Sequence, residues 1–197
     1  MKEITHVSAW ASGYHAYLKG VDGKKEVIPV SDIRGAVSPP MSENPGYFLI
    51  LARKHSRDEV KKQPLIFIAE GESPLQDQLF KKMSDCLAKM QCKLIYTDIG
   101  KEGFYQALLN NFEEHKVTFW QAPFVEEPEH GKVLIREQLS KKLLEMPTES
   151  TLYNQLLKMT PDSMGFAFDS LRFLLGGYSK FRPSSRVGKI ERSEYFW

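Results

Sequence analysis

The residues best equipped for chemistry are carboxylates at the ends of apolar runs. Residues 64–74 read PLIFIAEGESP, where Glu70 and Glu72, one glycine apart, follow the apolar stretch LIFIA. Asp98 closes KLIYTD, Glu137 stands in KVLIREQLSKK, and Asp169 stands in GFAFDSLRFLL. Hard cations take oxygen ligands, and two-metal phosphoryl chemistry gathers several carboxylates around one phosphate. These five residues are therefore the candidate ligands of a Mg²⁺ or Mn²⁺ ion. Simpler roles compete. Loops that leave strands are polar, a carboxylate beside a helix start is favoured by the helix dipole, and Asp169 can pair with Arg172 one turn on. IAEGESP is not a phosphate cradle, because it lacks the several glycines of a nucleotide loop and its charges repel phosphate.

Nucleophile chemistry has less support. His6, His15, His55, His115 and His130 are scattered, and none adjoins a Ser or Cys nucleophile in a motif. Cys86 and Cys92 are the only cysteines, and their positions suggest core packing in a reducing compartment rather than a zinc site or disulfide framework.

The elements that must position these groups begin with strand material in HVSAW, GYHAYLKGV and KKEVIPV, with Asp22-Gly23 as a turn, so an antiparallel meander is expected. Residues 31–46, with three prolines and little periodicity, read as a long surface connection. YFLILA and LIFIA read as strands buried on both faces. After Ser73 the period turns helical, with Ser73 as cap, Pro74 in the first turn and Gln76 closing a capping box. KLIYTD, GFYQALLNNFEEH and VTFWQ continue as strand, helix and strand. Residues 65–121 thus predict a parallel βαβαβ core with right-handed crossovers. Helices are expected in KVLIREQLSKKLLEM, in STLYNQLLKM and in TPDSMGFAFDSLRFLLGG, the last starting at Thr160-Pro161 and ending at Gly176-Gly177. The fold class is α/β: a three-layer sandwich with a mixed sheet, an antiparallel N-terminal meander, a parallel core and a helical C-terminal portion. Ligands of such sheets bind beyond the carboxyl ends of the strands, where Glu70, Glu72 and Asp98 are expected to converge.

Three local motifs carry family resemblances. YTDIGKEGF, a strand ending in Asp followed by Gly and a Phe that opens a helix, resembles the second-carboxylate motif of integrases and transposases of the RNase H-like superfamily. That resemblance implies an aspartate on the first strand, where Trp10-Ala11-Ser12-Gly13 stands, and a later acidic residue, for which Glu137 is the nearest candidate. DSMGFAFDSLRFLL resembles the acidic helix of phage terminase nucleases, with Asp162 and Asp169 as matches. LIFIAEGESP followed by a helix is similar to the strand, loop and helix of uracil-DNA-glycosylase-like domains, whose later His-Pro-Ser motif has no counterpart here.

Charge and composition set the functional expectation. The net charge of +2 gives nucleic acid little long-range attraction, and no apolar run approaches a membrane span or a signal peptide. A soluble, cytoplasmic protein without membrane insertion is expected. The last 22 residues carry +3, leaving −1 for the rest, and end in Tyr-Phe-Trp. Residues 1–177 are therefore read as one α/β domain and 178–197 as a basic, aromatic arm. Tyr178, Phe181, Arg182, Arg186, Tyr195, Phe196 and Trp197 are its partner-binding residues, because aromatics and arginines dominate protein interfaces. The expected function is a non-catalytic interaction subunit, an adaptor or scaffold component of a larger assembly, without a cofactor and with another protein subunit as partner. The alternative is an RNase H-like metal-dependent nuclease, intact or degenerate, using Mg or Mn on nucleic acid.

Overall fold

The alternating N-terminal segments form the expected meander: β1 (Lys2–Trp10), β2 (Gly13–Gly20) and β3 (Lys25–Ser38), each antiparallel to the next. Gly23 takes the left-handed backbone (φ 75°) that the β2–β3 turn requires. The computed structural model describes every residue except 1, 11–12, 21, 56–62, 124, 126–127, 161–164 and 181–197. Within the described residues the chain is mixed α/β, with eight strands in one curled mixed sheet and five helices.

Residues 31–38 do not join a surface connection, as expected, but extend β3 to fourteen residues. A bulge between Ser31 and Arg34, with Asp32 at φ 51°, makes this possible. An added residue reverses the alternation of a strand. Val30 before the bulge and Ile33 and Val37 after it therefore face one core, whereas Arg34 and Ala36 face the opposite side. The buried arginine and the shifted period conceal this strand from a period-of-two reading.

The rest of the sheet is β4 (Gly46–Lys54), β5 (Leu65–Ser73), β6 (Leu94–Thr97), β7 (Thr118–Gln121) and the two-residue β8 (Leu144–Glu145). The order β1-β2-β3-β4-β5-β8 forms one path, while β6 pairs in parallel with the second half of β3 and with β7. The predicted parallel βαβαβ core is therefore only half present. β6 and β7 are parallel neighbours, but β5 is held antiparallel to β4 and is separated from β6 by two strands. β2 pairs only with residues 25–30 of β3, which leaves the edge at Gly35 and Ala36 for β6.

Helices α1 (Gln76–Met90) and α2 (Glu102–Phe112) bury Leu79, Phe80, Met83, Leu87, Phe104, Leu108 and Phe112 against one side of the sheet. Helices α3 (Pro128–Ser140), α4 (Thr151–Lys158) and α5 (Ala167–Lys180) contribute Ile135, Leu152, Leu171 and Leu174 to a second apolar cluster with Tyr47, Leu49 and Leu51. Several predicted boundaries move. Leu75 rather than Ser73 caps α1, and the Ser73 hydroxyl accepts the Leu75 N–H instead. The segment expected as a helix to Met146 breaks at Lys142 (φ 54°), freeing Leu144 to pair with Leu65. α5 begins at Ala167 after Gly165 (φ 67°) and runs through Gly176 and Gly177 to Lys180. Gly177 serves close packing rather than termination, since a Cβ there would lie 2.3 Å from Tyr96. No described helix is long and apolar enough to cross a membrane, and both cysteines are free.

Candidate functional site

The five carboxylates do not form one site. Glu70 lies inside β5 rather than at its end, and its carboxylate accepts the N–H groups of Thr151 at 2.6 Å and Leu152 at 3.0 Å. These are unpaired donors at the N-terminus of α4, where the helix dipole favours an anion, and the Ser150 hydroxyl accepts the next one, from Tyr153. The Tyr47 hydroxyl also donates to Glu70. Burial first and the Glu70 charge second push the Tyr47 pKa well up, so it stays a donor.

Glu72 lies directly across from Tyr47, and one of its carboxylate oxygens is buried without a hydrogen-bond partner among the described residues. Asp98 accepts the Gly100 N–H at 2.9 Å in the turn before α2. Glu137 on α3 pairs with Lys141 just past the end of that helix, and Asp169 accepts from Arg172 Nε at 2.7 Å on α5. β5 and β6 are three strand spacings apart, roughly 14 Å, too far for Glu70 and Asp98 to share an ion. Among the described residues no three His, Cys, Asp or Glu side chains are grouped to hold a metal.

Asp98 and Asp169 do meet across one cavity of about 330 Å³ at the carboxyl ends of β3 and β6, bordered also by Ser38, Asn44, Lys101 and Arg172. β6 pairs with β3 and β7, and not with β1, the strand that ends at Trp10. Two residues beyond the Ala36–Tyr96 pair, Ser38 is the side chain level with Asp98.

Tyr178 is not on an exposed arm. It lies within α5, buried between two guanidinium groups, with the carbons of Arg34 and Arg53 each 4.8 Å from its ring centre. Asp32 on the bulge takes both Arg34 Nε at 2.6 Å and Nη2 at 3.0 Å, and Arg53 Nε at 3.3 Å. Arg34 donates onward to the Gly177 carbonyl and the Tyr96 hydroxyl, both at 2.9 Å, and Arg53 donates to the Tyr178 carbonyl at 3.1 Å. Both guanidinium groups donate to carbonyls of the last turn of α5, the end at which the helix dipole is negative. Burial opposes the Arg34 charge, but the hydrogen bonds and field of Asp32 outweigh it and raise its pKa. Phe181, Arg182, Arg186, Tyr195, Phe196 and Trp197 lie outside the described residues.

The meander adds a surface that the sequence reading passed over. Val7, Ala16 and Val30 point into the core, so the alternate residues point outward. His6 stacks on Tyr17 at 4.4 Å, and Trp10 meets His15 edge-on at 5.0 Å. Pro29 and Val27 lie beside His15 and Tyr17 on β3. Trp10 is 58% exposed and Val27 48% exposed. The period-of-two pattern in HVSAW and GYHAY was the available signal, since it places aromatic side chains where polar ones are usual.

Compared with protein-family models, with curated proteins and with solved structures, the chain matches none.

Proposed function

We propose that the protein is a non-catalytic interaction subunit, a three-layer α/β body that binds another protein through the outer face of β1, β2 and β3. The observation that carries this reading is the row of His6, Trp10, His15, Tyr17 and Val27 on a sheet face with large apolar side chains exposed. Aromatic anchors of this kind supply most of the energy at protein interfaces. Four of the five carboxylates fit structural duties: Glu70 holds α4, Glu137 pairs with Lys141 just past the end of α3, Asp169 pairs with Arg172 within α5, and Asp98 closes a turn. The test is isolation of the full chain with Trp10→Ser and Tyr17→Ser from its native cells. Loss of a partner retained by the parent chain, with unchanged circular dichroism, supports the reading. Undiminished co-purification overturns it.

A second reading, a degenerate RNase H-like metal-dependent nuclease, draws on Asp98 and Asp169 bordering one cavity at the carboxyl ends of parallel strands. Calorimetric titration with Mn²⁺ tests it: binding lost in both Asp98→Asn and Asp169→Asn favours this reading, and no heat in the parent chain removes it.

A further inference from the structure

The direction of α5 connects this face to the C-terminal segment. Near its start, the Ser170 hydroxyl contacts Ser38 Oγ at 3.2 Å and the Tyr47 carbonyl at 2.9 Å. Near its end, Arg34 on β3 binds the Gly177 carbonyl, and the Tyr178 hydroxyl lies 2.7 Å from the Asp32 carbonyl. The helix therefore travels from Ser38 back to Asp32, antiparallel to β3. It lies on the same side of the sheet as the outer face, because the bulge places Asp32 and Arg34 on the side to which Val27 and Pro29 point. The described helix ends at Lys180 beside Asp32, on the side of the sheet to which Val27 and Pro29 of β3, and His15, Tyr17 and His6 beside them, point.

We infer that the outer face of β1–β3 is the docking surface for residues 181–197 of this same chain, which compete there with the protein partner. The inference rests on the proposed interaction role for its regulatory meaning, but not for the contact itself. The last turn of α5 reaches Asp32, three residues along β3 from Pro29. Seventeen residues reach far more than the roughly 15 Å width of three strands. Arg182 and Arg186 find the faces of Tyr17 and Trp10, which attract guanidinium groups, and Tyr195, Phe196 and Trp197 supply apolar area. Lys19 and Lys25 pair across the far end of the face, so the attraction comes from aromatic contact rather than from opposite charge.

The test compares the full chain with a variant carrying Phe181→Ser, Tyr195→Ser, Phe196→Ser and Trp197→Ser. Diethyl pyrocarbonate modification of His6 and His15 and oxidation of Trp10 are followed by peptide mass spectrometry, with His130 on α3 as the internal reference. The variant should react several-fold faster at His6, His15 and Trp10 and unchanged at His130. Equal rates overturn the inference, as does protection that disappears on dilution, which would make the occupant another chain's segment. Faster modification in the variant with no partner dependent on Trp10 preserves this contact and removes the interaction role. Equal rates with a Trp10-dependent partner do the reverse.

Discussion

The guanidinium of Arg34 lies against the ring of Tyr178, its carbon 4.8 Å from the ring centre, while the same group binds the carbonyl of Gly177 at 2.9 Å. One buried side chain, 1% exposed, thus joins the β3 bulge to the last turn of α5. Arg34→Met removes the cation and takes a donor from three acceptors, the Gly177 carbonyl, the Tyr96 hydroxyl and the Asp32 carboxylate, the last of which keeps Arg53. A loss of about 3 kcal/mol is expected, measured by urea denaturation. A loss below experimental error would mean the clamp contributes nothing to stability.

Two glycines separate packing from backbone effects. Gly177→Ala drives a methyl into the Tyr96 ring, so overpacking should cost about 1–3 kcal/mol. Gly103→Ala, in the first turn of α2 with open space around it, should instead stabilise by about 0.5–1 kcal/mol. Melting temperatures moving in the same direction for both would refute the contrast.

Thiol reactivity should be strongly unequal. Cys92 is buried and its pKa is pushed up to about 12, while Cys86 is half-buried on α1 and raised by burial, with Asp85 adding to the rise and Lys89 opposing it. An aromatic disulfide reagent at pH 8 should label Cys86 first and reach Cys92 only through unfolding. Equal labelling rates in the native protein would contradict this assignment.

Alkaline pH should destabilise the fold. Burial raises the pKa of Tyr47, Tyr96 and Tyr178 above the ordinary 10.0, and that of Cys92 above 9.0. Above those ordinary values the folded chain binds more protons than the unfolded one, so stability present in full below pH 9 falls as pH rises past it. Urea midpoints between pH 7 and 11 should fall less steeply for Tyr178→Phe than for the parent. Superimposable slopes would show that Tyr178 does not contribute.

Glu70→Gln should weaken the seat of α4 by about 1 kcal/mol, because a charged acceptor at the helix N-terminus becomes a neutral one. Hydrogen exchange at Thr151 and Leu152 reads this locally. Unaltered protection at both amides would detach Glu70 from the role.

Much of the framework was legible because it rests on simple periodicities. The meander, the buried strands YFLILA and LIFIA, and α1 and α2 follow from alternation and helical stripes. Residues 31–38 were not legible, because a bulge breaks the alternation and Arg34 occupies an interior position that composition assigns to solvent. Strand adjacency was equally hidden: nothing in KLIYTD reveals that it lies beside Gly35 and Ala36 rather than beside LIFIA. That choice divides the carboxylates, sending Glu70 to α4 and Asp98 to the cavity with Asp169. Gly176-Gly177 read as a stop because glycine commonly ends helices, while here Tyr96 requires the missing side chain.

The bulge at Asp32 also gives the chain a reading frame. Removing Asp32 itself would restore strict alternation and leave Val30, Ile33 and Val37 on one surface and Arg34 on the other, at the loss of the carboxylate that binds Arg34 and Arg53. Removing one residue from within a flank, with the bulge kept, would instead turn part of that flank to the opposite surface and expel Val27 from the aromatic row or Arg34 from beneath α5. Each flank of β3 is therefore constrained in parity, while the bulge between them sets which surface the second flank presents to α5 and the first to the hairpin.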